Sequence, residues 1–146
     1  MVRISIVQPV DYMHKVVELM RDNWHETGFD FEFDPSAEQY QRVVDFNAMF
    51  AIAAFDDEQI VGYCTMVITP HLHNPAVIVA SNDALFVAKP YRNGMTSGRL
   101  IRAAEEEAKR RGANKVLWHT RAGTGLAAML ERRGYQPADI VVMKGL

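Results

Sequence analysis

The segment Leu85–Gly98 reads LFVAKPYRNGMTSG and runs without a break into RLIRAAEEEAKRRG. An apolar strand ends at Lys89-Pro90, a loop of basic and small residues follows at Tyr91–Gly98, and an amphipathic helix starts at once. A strand, a small-residue turn and a helix N-terminus aim free backbone N–H groups and the positive end of the helix dipole at one point, an anion site suited to a pyrophosphate. By itself the same pattern also describes an ordinary strand-to-helix turn carrying a solvated arginine, because a loose glycine pattern is a weak signal.

The rest of the chain supplies the frame. Val2–Val7 reads as a strand stopped by Pro9, and Asp11 caps a helix whose apolar residues Met13, Val16, Val17, Met20 and Trp24 recur at helical spacing up to Gly28. Pro35-Ser36 opens a second helix. Phe50–Phe55 and Gln59–Thr69 form a hairpin about Asp56-Asp57-Glu58, Pro70–Pro75 is a loop, and Ala76–Ala88 is a strand bulged at Ser81-Asn82-Asp83. A helix over Met95–Arg111 buries Leu100, Ile101, Ala104 and Ala108, while Glu105, Glu106 and Glu107 pair with Lys109, Arg110 and Arg111 on a solvated face. A strand Asn114–Thr120, a helix Leu126–Arg133 and a last strand Ile140–Lys144 complete the order. The hairpin and the later crossover together predict a mixed sheet in one domain over residues 1–146.

Composition closes off several function classes. At 146 residues, with 49% hydrophobic and 23% charged residues, the chain can bury one core and not two. A net charge of −2 argues against a nucleic-acid partner held through its phosphates. The single Cys64 lies in the apolar run Ile60–Ile68, so it reads as a small buried hydrophobe and not as a nucleophile. No leader or membrane-spanning run is visible, which makes a cytoplasmic, reducing setting with no membrane partner the expectation.

The element order and the loop resemble the GNAT superfamily of acyl-CoA-dependent N-acetyltransferases. Val87, Pro90, Tyr91, Arg92 and Leu100 fall in register with its central signature, and Gly134-Tyr135, after Leu130–Arg133, resembles the element that closes the next helix. The chain departs from the pattern where the two signature glycines fall on Met95 and Ser97, with Gly94 and Gly98 each displaced by one. Leu130 stands where many members carry a thiolate-protonating tyrosine, and Gly123 where many carry an asparagine. The relaxed loop and the following Arg99-Leu100-Ile101 are similar to a branch common in phage and prophage genomes. The resemblance implies an α/β fold with a mostly antiparallel central sheet, a splayed strand pair and about four flanking helices. It implies acetyl-CoA as the donor and a small-molecule or protein amine as the acceptor.

Acyl transfer from a thioester to an amine needs a base for the amine proton, a donor for the oxyanion and good positioning. The resemblance assigns the oxyanion and pantetheine contacts to the backbone of Phe86 and Val87. It assigns the pyrophosphate to the amides of Asn93, Gly94, Met95, Thr96, Ser97 and Gly98, with Arg92 as counter-charge. Asp83, two residues before Leu85, is the first candidate base, against a plain reading as a polar bulge residue facing water. His119 is the second, against a hydrogen-bonded structural histidine. Asp30 and Glu32, interleaved with Phe29, Phe31 and Phe33, could wall a site for a cationic amine; equally, the phenylalanines could pack inward and leave the acids solvated. His71 and His73 have no carboxylate or cysteine locally placed to complete a metal site, so no metal is expected. A chain that binds CoA without turnover, or an interaction module that has lost it, are the competing readings. The apolar Ile140–Met143 could pair across two copies as well as within one, which leaves a homodimer open.

Overall fold

The computed structural model describes residues 1–92 and 94–146. The elements are β1 (Arg3–Val7), α1 (Pro9–Thr27), α2 (Ala37–Asp45), β2 (Met49–Asp56), β3 (Gln59–His71), β4 (Asn74–Val87), α3 (Thr96–Arg110), β5 (Lys115–Leu117) and α4 (Gly125–Arg132). Among the described residues the strands form one sheet in the order β1-β2-β3-β4-β5. The first three pairings are antiparallel, and β5 joins β4 in parallel. This is the mixed sheet that the hairpin and the crossover predict, and it is mostly antiparallel as the resemblance implies.

Helix α1 begins earlier than its apolar spacing suggests. Pro9 is its first residue, where a missing N–H does no harm, and the Gln8 Oε1 accepts from Val10 N at 2.6 Å and Asp11 N at 3.1 Å. The cap is thus Gln8 and not Asp11. The second helix opens after Pro35-Ser36 as expected, with Ser36 as its cap, the Oγ accepting from Gln39 N at 3.2 Å.

Both faces of the central strands are covered, so β2 is buried along almost its whole length. On one face Phe50, Ile52 and Ala54 join Cys64, Met66, Leu100, Ala104 and Ala108 in the main core under α3. On the other, Ala53, Phe55 and Ile60 pack with Val7, Tyr12, Val16 and Leu19 under α1. The period of two along β2 therefore divides its side chains between two helical layers.

Gly62 sets how closely α3 approaches the sheet. A Cβ there would lie 3.1 Å from the Phe86 carbonyl oxygen, 3.2 Å from Val87 Cγ2 and 3.3 Å from Leu100 Cδ1. One of those contacts is backbone and cannot swing away. Gly62→Ala should lower stability by about 1–3 kcal/mol through overpacking, read as a reduced urea midpoint with unchanged m. An unaltered midpoint would show that the layer has slack.

Three segments depart from their sequence patterns. The expected loop Pro70–Pro75 shrinks to a turn at Leu72 and His73, with β3 running through His71 and β4 restarting at Asn74. Continued ladder pairing, Pro70 opposite Ile78 and His71 opposite Asn74, absorbs the prolines near a strand end. Strand β5 covers only Lys115–Leu117 of the expected Asn114–Thr120, because only Val79–Ser81 of β4 offer it a partner. Ile140–Lys144 has strand composition, yet forms no strand, and Ile140–Met143 lie exposed.

Helix α3 buries Leu100, Ile101, Ala104 and Ala108 as its spacing requires, but its acidic run is not a uniformly solvated face. Glu107 is 4% exposed and bonds both Arg110 and Arg111, and Glu105 accepts from Trp118 Nε1 at 2.9 Å and from the Tyr135 hydroxyl. Of the three expected i,i+4 pairs, Glu107 with Arg111 is the one formed among the described residues.

Candidate active site

The β3–β4 ladder places Thr65 opposite Ala84 and Met66 opposite Asn82, so Asp83 is the extra residue of a β-bulge. The Ser81-Asn82-Asp83 interruption in the sequence marks this point. A bulge re-aims one side chain and bends the strand. Here it coincides with the end of β4–β5 pairing at Ser81–Leu117, beyond which β4 has no strand neighbour on that side among the described residues. The bulge and the splay leave the β4 edge over Leu85 and Phe86 without a strand neighbour on that side among the described residues.

Asn82 closes the last rung of that divergence with its side chain. Its Oδ1 accepts from His119 N at 2.6 Å, and its Nδ2 donates to the His119 carbonyl at 3.1 Å, so an amide side chain stands in for a ladder residue. His119 therefore lies two residues past β5, held by its backbone beside the Asp83 bulge, with its ring exposed.

Asp83 remains solvent-accessible, yet the protein walls around it raise its carboxyl above the ordinary aspartate range by desolvation. That combination describes a group at the mouth of a recess. Its charge is felt by Tyr40, Tyr63 and Cys64. Burial, with the Asp83 charge second, pushes the Tyr40 hydroxyl up to about 12, so it stays a hydrogen-bond donor at neutral pH. Tyr63 and Cys64 are raised further, chiefly by burial, which leaves Cys64 an inert thiol in the core. The Tyr63 hydroxyl accepts from Asn23 Nδ2 at 3.3 Å, which ties α1 to the recess. A narrow cavity of about 30 Å³ lined by Met20, Tyr40, Ile52 and Tyr63 is sized for roughly one water, so an acceptor would have to enter from the solvent side of Asp83.

At the other end of β4 a short 3-10 turn, Lys89–Tyr91, leads into the loop. Asn93 lies outside the described residues. Gly94 has open space around it, Met95 is exposed, and Thr96 is the first residue of α3. Met95 occupies the cap position, and among the described residues no side chain caps α3. The first-turn N–H groups of Thr96, Ser97 and Gly98 thus keep the unpaired character that suits an anion. The residues fit the diphosphate end of a nucleotide cofactor, despite Met95 and Ser97 at the glycine positions.

Arg92 has partners of its own. Its Nε donates to the Val87 carbonyl at 2.7 Å, and its Nη2 lies 3.0 and 2.9 Å from the two oxygens of Glu26. Its guanidinium also sits 5.0 Å from the Phe86 ring centre. Arg92 therefore staples the end of α1 to the end of β4, and the Val87 carbonyl is occupied. Phe86 and Val87 are both buried, with Phe86 packed 6.4 Å from Tyr63. The sequence offers no local signal for Glu26, which lies 66 residues away from its partner.

Asp30 and Glu32 are exposed, and the phenylalanines beside them do not enter the core. Phe29 and Phe31 stack at 4.9 Å and stay partly exposed, while Trp24 lies 6.5 Å from Phe31 and 6.1 Å from Phe33. Arg121 sits 5.2 Å over Phe29. Through Asn82–His119 and Arg121–Phe29 the α1–α2 loop reaches the same end of the sheet as the bulge. Tyr40 and Tyr63 are the site residues that sequence patterns do not single out, and Asn82 stands out only as part of the bulge. His71 and His73 stack at the hairpin tip, and no group of three or more metal-type side chains gathers among the described residues. Among those residues no helix is long and apolar enough to cross a membrane.

A bulged β4 that parts from its parallel neighbour β5 and leads into the N-terminus of α3 is an α/β arrangement of the acyltransferase type. The model of the acetyltransferase (GNAT) family matches residues 14–135, and the chain belongs to that family. Among solved structures it is similar to a transcriptional regulator from Bacillus halodurans C-125, at 19% identity and a TM-score of 0.79 with 100% of each chain covered. It is similar to an aminoglycoside acetyltransferase from an uncultured soil metagenomic sample, at 17% identity and 0.77, covering 99% of this chain and 94% of that one. A ribosomal-protein-alanine N-acetyltransferase from Brucella melitensis biovar Abortus 2308 gives 17% and 0.75, covering 99% and 100%. These likenesses establish the fold. No curated protein sequence matches the chain.

Proposed function

We propose that the chain transfers an acetyl group from acetyl-CoA to a primary amine by direct attack, with Asp83 as general base. The observation that carries this reading is the β4 bulge, which turns one solvent-accessible carboxylate of raised proton affinity into the recess where β4 and β5 part. The amides of Thr96, Ser97 and Gly98, with Gly94 and Met95 leading into them, would hold the pyrophosphate. The free β4 edge at Phe86 would receive the pantetheine. Bound there, acetyl-CoA supplies a thioester whose C–S bond breaks as the new N–C bond forms. Asp83 accepts the proton that the acceptor's ammonium must lose before its nitrogen has a lone pair to attack the thioester carbonyl carbon, and a carboxylate with a raised pKa suits that task better than an ordinary aspartate. Tyr40, protonated at working pH, can donate a hydrogen bond within the recess. Cys64 takes no part. Leu130 is buried and apolar, so that position of α4 offers no acid for the departing thiolate, which is a competent leaving group without one. His119, exposed and fixed by its backbone, is proposed to border the acceptor entrance.

Asp30 and Glu32, standing on an aromatic platform with Trp24 at its base, would favour a cationic amine. Two of the solved structures above come from acetyltransferases whose names specify an aminoglycoside and a ribosomal protein, both amine-bearing acceptors. Thiol release from acetyl-CoA in the presence of polyamines, aminoglycosides and lysine peptides tests the reading; release with none of them would leave a CoA-binding chain without turnover. With whichever amine reacts, Asp30→Asn combined with Glu32→Gln should raise acceptor KM by about three- to tenfold at low salt. An unchanged KM would remove the electrostatic wall from the account.

A further inference from the structure

The anion-binding face of α3 has a second part that the family signature does not describe. Arg133, the residue that ends α4, lays its guanidinium across the first turn of α3. A Cβ on Gly98 would sit 2.8 Å from Arg133 Nη2, 3.1 Å from Nη1 and 3.3 Å from Cζ. Gly98 lies within the regular α3 helix, so its backbone freedom is not what is used. What it provides is space, and Arg133 occupies it.

The guanidinium borders a polar cleft of about 240 Å³ lined by Gly98, Ile101, Arg102, Glu105, Arg133 and Tyr135. Arg102 follows Gly98 by one helical turn and so projects on the same face. Among the described residues neither Arg102 nor Arg133 has a carboxylate within 4.0 Å. The carboxylate in the cleft, Glu105, already accepts on one oxygen from both Trp118 and Tyr135, and so fixes the wall. The other arginines near the start of α3 are engaged: Arg92 with Glu26 and the Val87 carbonyl, Arg99 with the Val2 carbonyl at 2.6 Å. Two exposed guanidinium groups with no carboxylate partner among the described residues therefore line one cleft beside the proposed pyrophosphate site.

Resting on the donor reading above, we propose that Arg133 and Arg102 bind a terminal phosphate monoester on the nucleotide end of the donor, so that the chain distinguishes CoA from its 3′-dephospho form. A phosphate monoester carries close to two charges near pH 7 and offers three acceptor oxygens, which suit paired guanidinium forks. Gly98, which departs from the family pattern, leaves the space that the Arg133 guanidinium fills.

Calorimetric titration of the full chain with acetyl-CoA and with acetyl-3′-dephospho-CoA tests this. The chain should bind acetyl-CoA about tenfold more tightly, the effect of roughly 1.4 kcal/mol for exposed charge-assisted bonds. Arg133→Ala should remove most of that preference while leaving affinity for the dephospho donor within about twofold, and Arg102→Ala combined with Arg133→Ala should abolish it. Equal affinity of the unmodified chain for the two donors would overturn the assignment and leave the donor reading standing. So would a preference that survives in the double variant. Binding of neither donor would overturn the donor reading and this assignment with it.

Discussion

Asp83→Asn should lower kcat for acetyl transfer by about 100- to 1000-fold and leave the Kd for acetyl-CoA unchanged, the range expected for loss of a general base. The substitution keeps the shape of the side chain and the bulge that positions it, so positioning of both substrates survives while proton acceptance is lost. The pH dependence gives a second readout. A base works ionised, so activity should rise with pH through the Asp83 pKa, and desolvation places that rise above the ordinary aspartate range. In the Asn variant this limb should disappear. Stability moves the other way. An acid whose pKa is raised by the fold binds protons more tightly folded than unfolded, so its ionised form at neutral pH is a burden on stability. The Asn variant should therefore unfold at the same or a higher temperature. A loss of activity below about threefold with the acidic limb intact would take Asp83 out of the mechanism.

The parts of this fold that are legible in the sequence are those whose partners lie nearby along the chain. The Phe50–Thr69 hairpin, the apolar stripe of α3, the opening of α2 after Pro35-Ser36 and the bulge at residues 81–83 each depend on spacing within a few residues, and each forms. Ile140–Lys144 has the same strand-like composition and fails, because a strand exists only with a ladder beside it, and β5 is three residues long. In the site, Asp83 and the α3 amides stand out because a polar interruption and a small-residue loop are local signals. Tyr40, Glu26 and Arg133 do not, since each matters through contacts with residues distant in sequence. Arg92 shows how such contacts escape the sequence: its position in the loop marks it as a counter-charge for the donor, while its contact with Glu26, on a helix 66 residues earlier, has no local signal. Gly98 shows the converse: a glycine that departs from the family pattern becomes intelligible once Arg133 is seen against it.

The cradle at the start of α3 is only as fixed as the helix that carries it, and the far end of α3 is anchored by charge. Glu107 is 4% exposed, accepts from Arg110 Nε at 2.7 Å and from Arg111 Nε at 2.7 Å, and is held at a pKa of about 2, first by the Arg110 bond and then by Arg111 against the opposing effect of burial. An acid whose folded pKa is depressed contributes stability that is complete above its unfolded value near 4.5 and is lost as pH falls toward about 2. Glu107→Gln should accordingly cost about 1–2 kcal/mol at pH 7, less than a shift of this size would give in full because the Arg110 partner is exposed to solvent. The two proteins should converge in stability as pH falls from 4.5 to 2, because protonation makes the native glutamate resemble the amide. Urea unfolding of both chains at pH 7 and pH 3 measures the convergence. A gap that stays constant across that window would mean the contribution of Glu107 is packing of its stem and not its charge. Donor affinity supplies the link to the site: at pH 7 and below the onset of unfolding, Glu107→Gln should weaken acetyl-CoA binding by less than about twofold, since α3 stays folded and its first turn, more than two turns away, keeps its amides in place.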